Sequence, residues 1–220
     1  MKGGVDKDRI LNEARFARTR ENMSEFGHCA TSGKYLRKAA SSLSLTAKDG
    51  TSVARLTKVM SEIKNMDGTS LRGRRRVDVG IQTAMGLAKL KGFEFNAEAP
   101  ISIVLNAPFT VDTTTGEIEI PALQTAKNLS LPPSATHVSL MAAYTIIDFA
   151  SGDFNTSESP ILNVPIDLSV NTVTLTPSAP PSGTGVSLYL LGIQFFQEVN
   201  GVQYPLAEDS FNALSIVAAN

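Results

Sequence analysis

The most concentrated chemistry in the 220-residue chain is Arg72-Gly73-Arg74-Arg75-Arg76, which places four guanidiniums within five residues. A guanidinium is planar and permanently charged, and its paired N–H donors match phosphate or carboxylate. Several together can displace the counterions of a polyanion. Arg15, Arg18 and Arg20, upstream, add to the same potential. The pattern predicts contact either with a polyanion such as nucleic acid, bound without sequence specificity, or with carboxylates of a protein surface; a solvated face is the plainer alternative. No aromatic residue interleaves with the 72–76 run, so its sequence neighbourhood offers no platform on which bases would stack.

The remaining candidates are sparse. A cysteine nucleophile needs a histidine that is itself oriented by a third group. His28 and Cys29 are sequence neighbours in a basic segment and no Gly-x-Ser-x-Gly elbow exists, so Cys29 reads as a small, partly buried thiol. His137 follows Pro132-Pro133-Ser134-Ala135-Thr136 at the start of a strand and reads as an edge hydrogen-bond donor, not a ligand. No His or Cys spacing matches zinc. The acidic loops at 112–117 and Ser151-Gly152-Asp153-Phe154-Asn155 hold oxygens suited to calcium but lack the alternation of a calcium loop. Turn chemistry explains them more simply. Gly183-Thr184-Gly185 lacks the lysine and helix start of a phosphate cradle. The residues therefore predict a protein that is not an enzyme, with no catalytic residue, metal site or cofactor.

The elements that would position the arginines follow a sharp charge boundary. Residues 1–92 hold 19 of the 20 Lys and Arg against nine acids, a balance of +10; residues 93–220 hold Lys127 against 12 acids, a balance of −11. Such asymmetry marks interaction with an oppositely charged partner, which here includes a second copy of the chain. The alternative is that the basic half folds back onto its own acidic half.

In the basic half, Ile10, Ala14 and Ala17 recur at helical spacing over residues 6–26, a stripe too thin to bury much surface alone. A second helical segment is predicted over 34–43. The clearest helix begins after Asp49-Gly50, with Thr51 or Ser52 as cap and Val53, Leu56, Val59, Met60, Ile63 and Met66 on one face; Asp67-Gly68 stops it. Residues 77–90 fit either a strand or a helix. From Phe93 the period becomes two: Phe93-Glu94-Phe95, Ile101-Ser102-Ile103, Phe109-Thr110-Val111 and Ile118-Glu119-Ile120, then longer runs over 138–149, 161–170, 172–176, 186–199 and 214–217. Asn200-Gly201 is the strongest hairpin signal, because a two-residue turn of the favoured kind needs positive φ at both positions. The fold expectation is mainly β: a basic helix-rich region over 1–92, then an acidic antiparallel β-sandwich or jelly-roll-like domain over 93–220.

Three stretches, Arg18-Thr19-Arg20-Glu21-Asn22-Met23-Ser24-Glu25-Phe26-Gly27, Gly92-Phe93-Glu94-Phe95-Asn96 and Phe196-Gln197-Glu198-Val199-Asn200-Gly201-Val202-Gln203-Tyr204, resemble hypothetical proteins of Bacteroidetes bacteria. The resemblance implies a bacterial cell, or a phage of one, as the source; it brings no activity and no functional residues.

One cysteine excludes an internal disulfide. No run approaches the 18 or so apolar residues of a membrane span, and the charged opening lacks the core of a secretory signal, so synthesis in the cytoplasm is expected, with assembly into a surface structure or virion compatible. Two functions remain. One is a self-assembling structural subunit whose basic N-terminal region contacts acidic β domains of neighbouring copies, in a filament, surface layer or virion. The other is a carbohydrate- or protein-binding β module anchored to a polyanion.

Overall fold

A computed structural model describes residues 5–44, 47, 49–206 and 211–220; the first four residues of the charged opening lie outside them. The basic half is helical. Asp6 caps α1 (Lys7–Asn12) by accepting the Asp8 N–H. At Glu13 the backbone is extended and, after a single 3-10 turn, α2 runs unbroken through Ala17–Ala39. The two helical segments expected over 6–26 and 34–43 are thus redivided: the break falls at Glu13, and Gly27 and Gly33 are carried inside one helix. Gly33 has a packing reason to be there, since a Cβ at that point would already touch Leu56 at 3.5 Å. After α3 (Ser41–Ser44), α4 (Ser52–Lys64) starts where expected, although its first turn is held from outside by Asp49, which accepts the Thr51 N–H at 2.6 Å and pairs with Arg55. Residues 77–90 resolve as two short helices, α5 (Val77–Gly80) and α6 (Ala84–Ala88), the latter capped by the Thr83 hydroxyl.

Two further short helices, α7 (Ile101–Val104) and α8 (Thr125–Asn128), lie among the strands. The alternating Ile101-Ser102-Ile103 was expected as a strand. Pro100, extended at the N-cap, starts a helical turn there instead, in which Ile101 and Val104 share the buried side at i, i+3 spacing. The described strands are β1 (Thr110–Val111), β2 (Ile118–Leu123), β3 (His137–Ile147), β4 (Phe154–Glu158), β5 (Leu162–Pro165), β6 (Asn171–Leu175), β7 (Val186–Val199), β8 (Val202–Pro205) and β9 (Ala213–Ala219). They form two antiparallel sheets. The spine of the six-stranded sheet is β3 against β7, in register from His137↔Phe196 to Ile147↔Val186. β4 and β5 share the outer edge of β3, while β8 and β9 share that of β7. The second sheet has the order β1-β2-β6. Phe93-Glu94-Phe95 makes one bridge, Glu94↔Ser215, and backbone bonds along β9, without becoming a regular strand.

Period two decides the layers, because successive side chains of a strand face opposite sides. On β7, Val186, Leu188 and Leu190 join Cys29, Leu36, Leu56, Met60 and Ile63 of α2 and α4 in one apolar cluster. Leu191, Ile193 and Phe195 face the other way, into a cluster with Ile118, Ile120, Val173 and Leu175 of the small sheet. Each such side chain, fully buried, contributes about 1.5–3 kcal/mol. The large sheet is therefore the middle of three layers, helices on one face and the small sheet on the other. Phe93, Phe95, Leu214 and Ile216 also belong to the helical cluster, so the charge boundary at 92/93 is crossed by a common core. The described structure is mixed in content, 31% helix and 29% strand.

Candidate functional site: the arginine loop

The loop joining α4 to α5 carries Arg72, Arg74, Arg75 and Arg76, and two buried carboxylates hold it in shape. Asp67, 1% exposed, accepts the N–H groups of Thr69 at 3.0 Å, Ser70 at 2.9 Å and Arg76 at 2.9 Å. Burial alone would raise its pKa, but these bonds outweigh it and hold the carboxyl well below the usual aspartate range. Glu25 of α2 accepts from the Gly73 N–H at 2.7 Å and from Lys64 Nζ at 2.6 Å, fastening loop, α2 and α4 together; again burial opposes and the hydrogen bonds lower the pKa. Gly73 has φ +86°, and a side chain there would also meet Glu21 Cγ at 2.6 Å. Glycine is required on both counts.

The four loop arginines divide into two kinds. Arg72 donates to Glu21 at 2.9 Å and Arg76 to Asp78 at 2.8 Å, while neither Arg74 nor Arg75 has an ion pair among the described residues. Arg74 is exposed; Arg75 is half-buried, and its Nε is fully buried without a hydrogen-bond partner. Arg74, Arg75 and Arg76 line a cleft of about 660 Å³ with Ser24, His28 and Ser70. Comparison with family models, curated proteins and solved structures finds no match. The site is read from its geometry alone.

The upstream arginines are not gathered here as a set. Arg18 pairs with Glu21 at 3.2 Å, which Arg72 also contacts, and so reaches the margin of the loop. Arg15 pairs with Glu13 at 2.6 Å and lies over the Phe16 ring. Arg20 donates to the carbonyls of Ile10 at 2.7 Å and Glu13 at 3.0 Å, tying α1 to α2.

His28 sits in the cleft wall with a structural task. Its Nε2 accepts the Val77 N–H at 2.8 Å at the start of α5; burial, then the charge of Arg76, lowers its pKa against the opposing pull of Asp78. Cys29 is 0% exposed, and burial pushes its thiol up, away from the thiolate a nucleophile requires. His137 opens β3, with Nδ1 3.1 Å from the Thr136 hydroxyl and Nε2 3.7 Å from Glu198. In the first acidic loop Asp112 accepts the Thr114 N–H at 2.7 Å; just ahead of the second, Asp148 accepts the Ala150 N–H at 2.7 Å, and within it the Asp153 N–H donates to the Ser151 hydroxyl at 3.1 Å. Among the described residues no three His, Cys, Asp or Glu side chains come together as a metal site would need. No helix among them is long and apolar enough to cross a membrane.

Two features of the site escaped sequence reasoning. The carboxylates that organise it come from two helices and the loop itself, and only Asp67-Gly68 carried a local sign, that of a turn. The other is Phe26. It is 64% exposed on α2 and lines a second cleft with Met23 and Lys64, on the opposite flank of the helix from Ser24 and His28; buried Glu25 lines both clefts. The aromatic that the arginine run lacks in sequence is supplied by the fold. Chemically, the site offers unspent guanidinium donors on one flank of α2 and an apolar shelf on the other.

Proposed function

We propose that the protein is a non-enzymatic structural subunit that assembles from copies of itself, the basic helical layer of one copy meeting the acidic β surface of another. The observation that carries this reading is the layering: helices with the basic excess cover one face of the central sheet, and the small sheet covers the other, with Glu119 on its solvent side between buried Ile118 and Ile120. Different patches in contact make a heterologous interface, which repeats into rings or open filaments, as a surface layer, filament or virion component would. Charge sets partner and register, while exposed pairs add only about 0–1 kcal/mol each. Apolar contact must provide the rest. Met23, Phe26 and Leu71 are exposed on the helical side, and Ile161, Leu168 and Val170 on the β side. The finer description of residues 93–220 as an antiparallel β-sandwich or jelly-roll-like domain belongs to the same reading.

The test is size-exclusion chromatography with light scattering at low and high salt. Large species that shrink as salt rises support the proposal; a salt-indifferent monomer or dimer overturns it and favours a binding module anchored through its basic region.

A further inference from the structure

We infer that the arginine cleft and the Phe26 shelf across α2 from it bind single-stranded nucleic acid, phosphates in the cleft and a base, where the strand crosses the helix, against the Phe26 ring. Three observations converge on this. The first is a local charge excess. Arg18, Lys64 and the four loop arginines stand against Glu21, Glu25, Asp67 and Asp78, six cations against four carboxylates. Each of those carboxylates is already engaged, Asp67 by backbone N–H groups and the others by cations, so the unopposed charge is that of Arg74 and Arg75.

The second is an unmet hydrogen-bonding demand. Arg75 Nε is buried without a partner. A buried donor left alone is destabilising, and such groups in folded proteins call for an explanation such as an ion. An anionic oxygen satisfies it once the half-buried Arg75 side chain turns toward the cleft, since its Nε is otherwise closed to solvent.

The third is the shelf itself. Phe26 and Met23 are exposed on the same helix that carries Glu25 and His28 into the cleft. A duplex keeps its bases stacked inside and would use only the arginines. A single strand can lay a base on the ring while its backbone follows the basic cleft, the combination found in sequence-tolerant single-strand binders. Thr19, Asn22 and Ser61 line the same cleft as the ring and can touch a base edge, while stacking on the ring itself is tolerant of sequence. This site shares Met23 and Phe26 with the apolar contacts of the assembly proposed above; light scattering without oligonucleotide measures that assembly separately.

The experiment is fluorescence anisotropy on the full chain with labelled single-stranded DNA and RNA of about 12 nucleotides and a duplex of the same length, across a salt series. The expected result is preference for the single strands. Arg74→Ser with Arg75→Ser should flatten the slope of log K against log salt by about 1.4, two phosphates at about 0.7 each. Phe26→Ala should weaken binding by about fivefold to 100-fold with the slope unchanged, and Phe26→Trp should restore it. Since Arg74 is exposed and unpaired, Arg74→Ser alone keeps the test valid if the double variant melts early; it should flatten the slope by about 0.7. The inference is overturned if no oligonucleotide binds. It is equally overturned by a duplex that binds as tightly with Phe26→Ala silent, or by full displacement with millimolar inorganic phosphate, which would mark a compact-anion site.

Discussion

Replacing Asp67 by Asn tests whether the buried carboxylate is what shapes the arginine loop. Oδ1 receives three donors, the N–H groups of Thr69 and Ser70 and the Thr69 hydroxyl, and Oδ2 receives the Arg76 N–H. An asparagine has one oxygen. If that oxygen takes the Thr69 and Ser70 side, its NH2 opposes the Arg76 N–H; flipped, it opposes three donors. The better arrangement leaves one buried donor unmet, costing about 1–3 kcal/mol, and removes the charge assistance from the remaining bonds. The sum is about 2–4 kcal/mol, large beside a typical stability of about 5–15 kcal/mol. Urea unfolding followed by circular dichroism at pH 7 should show a midpoint lower by about 1–2 M for a slope near 2 kcal/mol/M. The pH dependence follows from the lowered pKa. The stability Asp67 contributes is present above the ordinary aspartate value of 3.8 and is lost as pH falls through the lower folded value, so wild type and variant should converge in acid. A midpoint unchanged to within about 0.3 M at pH 7, a difference of only about 0.5 kcal/mol, would show that the loop holds its shape without the charge.

Gly201 has φ +77° with no atom near a would-be Cβ, so Gly201→Val should lose about 1 kcal/mol or more through backbone strain alone, read as a lower urea midpoint. Burial pushes Glu94 up to about 7 against the Ile101 N–H and Arg55, which lower it. Its contribution is therefore complete below the ordinary glutamate value of 4.5 and lost as pH rises through about 7, and Glu94→Gln should remove that loss from melting curves between pH 5 and 8. His28 has the opposite sign: with its folded pKa below 6.5, its contribution is present above 6.5 and declines as pH falls through the folded value. His28→Gln, which keeps an acceptor for the Val77 N–H, should flatten that decline, and an unchanged profile would remove His28 from its capping role.

Legibility in the sequence tracked burial. β7 covers the whole of the expected 186–199 run, because most of that strand is buried on both faces and leaves a long, nearly continuous apolar run. The Asn200-Gly201 turn is as read, with φ +54° and +77° joining Val199 to Val202. β4 was read as part of a turn: Phe154–Glu158 is an edge strand with no buried residue, so it has no inward face to leave a pattern. α2 was divided because its packing stripe is Cys29, Ser32, Gly33, Leu36 and Ala39, mostly small residues that hydrophobic periodicity undercounts but that let α4 approach closely. The arginine loop was visible as composition. Its architecture was not, because Glu21 and Glu25 are far from it in sequence and recognise it through backbone N–H groups as well as charge.

The order of synthesis has a consequence for how the chain becomes stable. α2 and α4 precede their sheet, and the side chains that complete their core include Leu214 and Ile216 of β9. α2, with so slight an apolar stripe, is marginal before it docks. During translation the helical layer must wait for strands made more than a hundred residues later, and the middle layer cannot serve either core until β3 and β7 have met. Contacts this distant along the chain slow folding and lengthen the time apolar surface stays exposed. Nascent chains halted before β9 should therefore remain protease-sensitive even in α4, although every residue of that helix has already emerged.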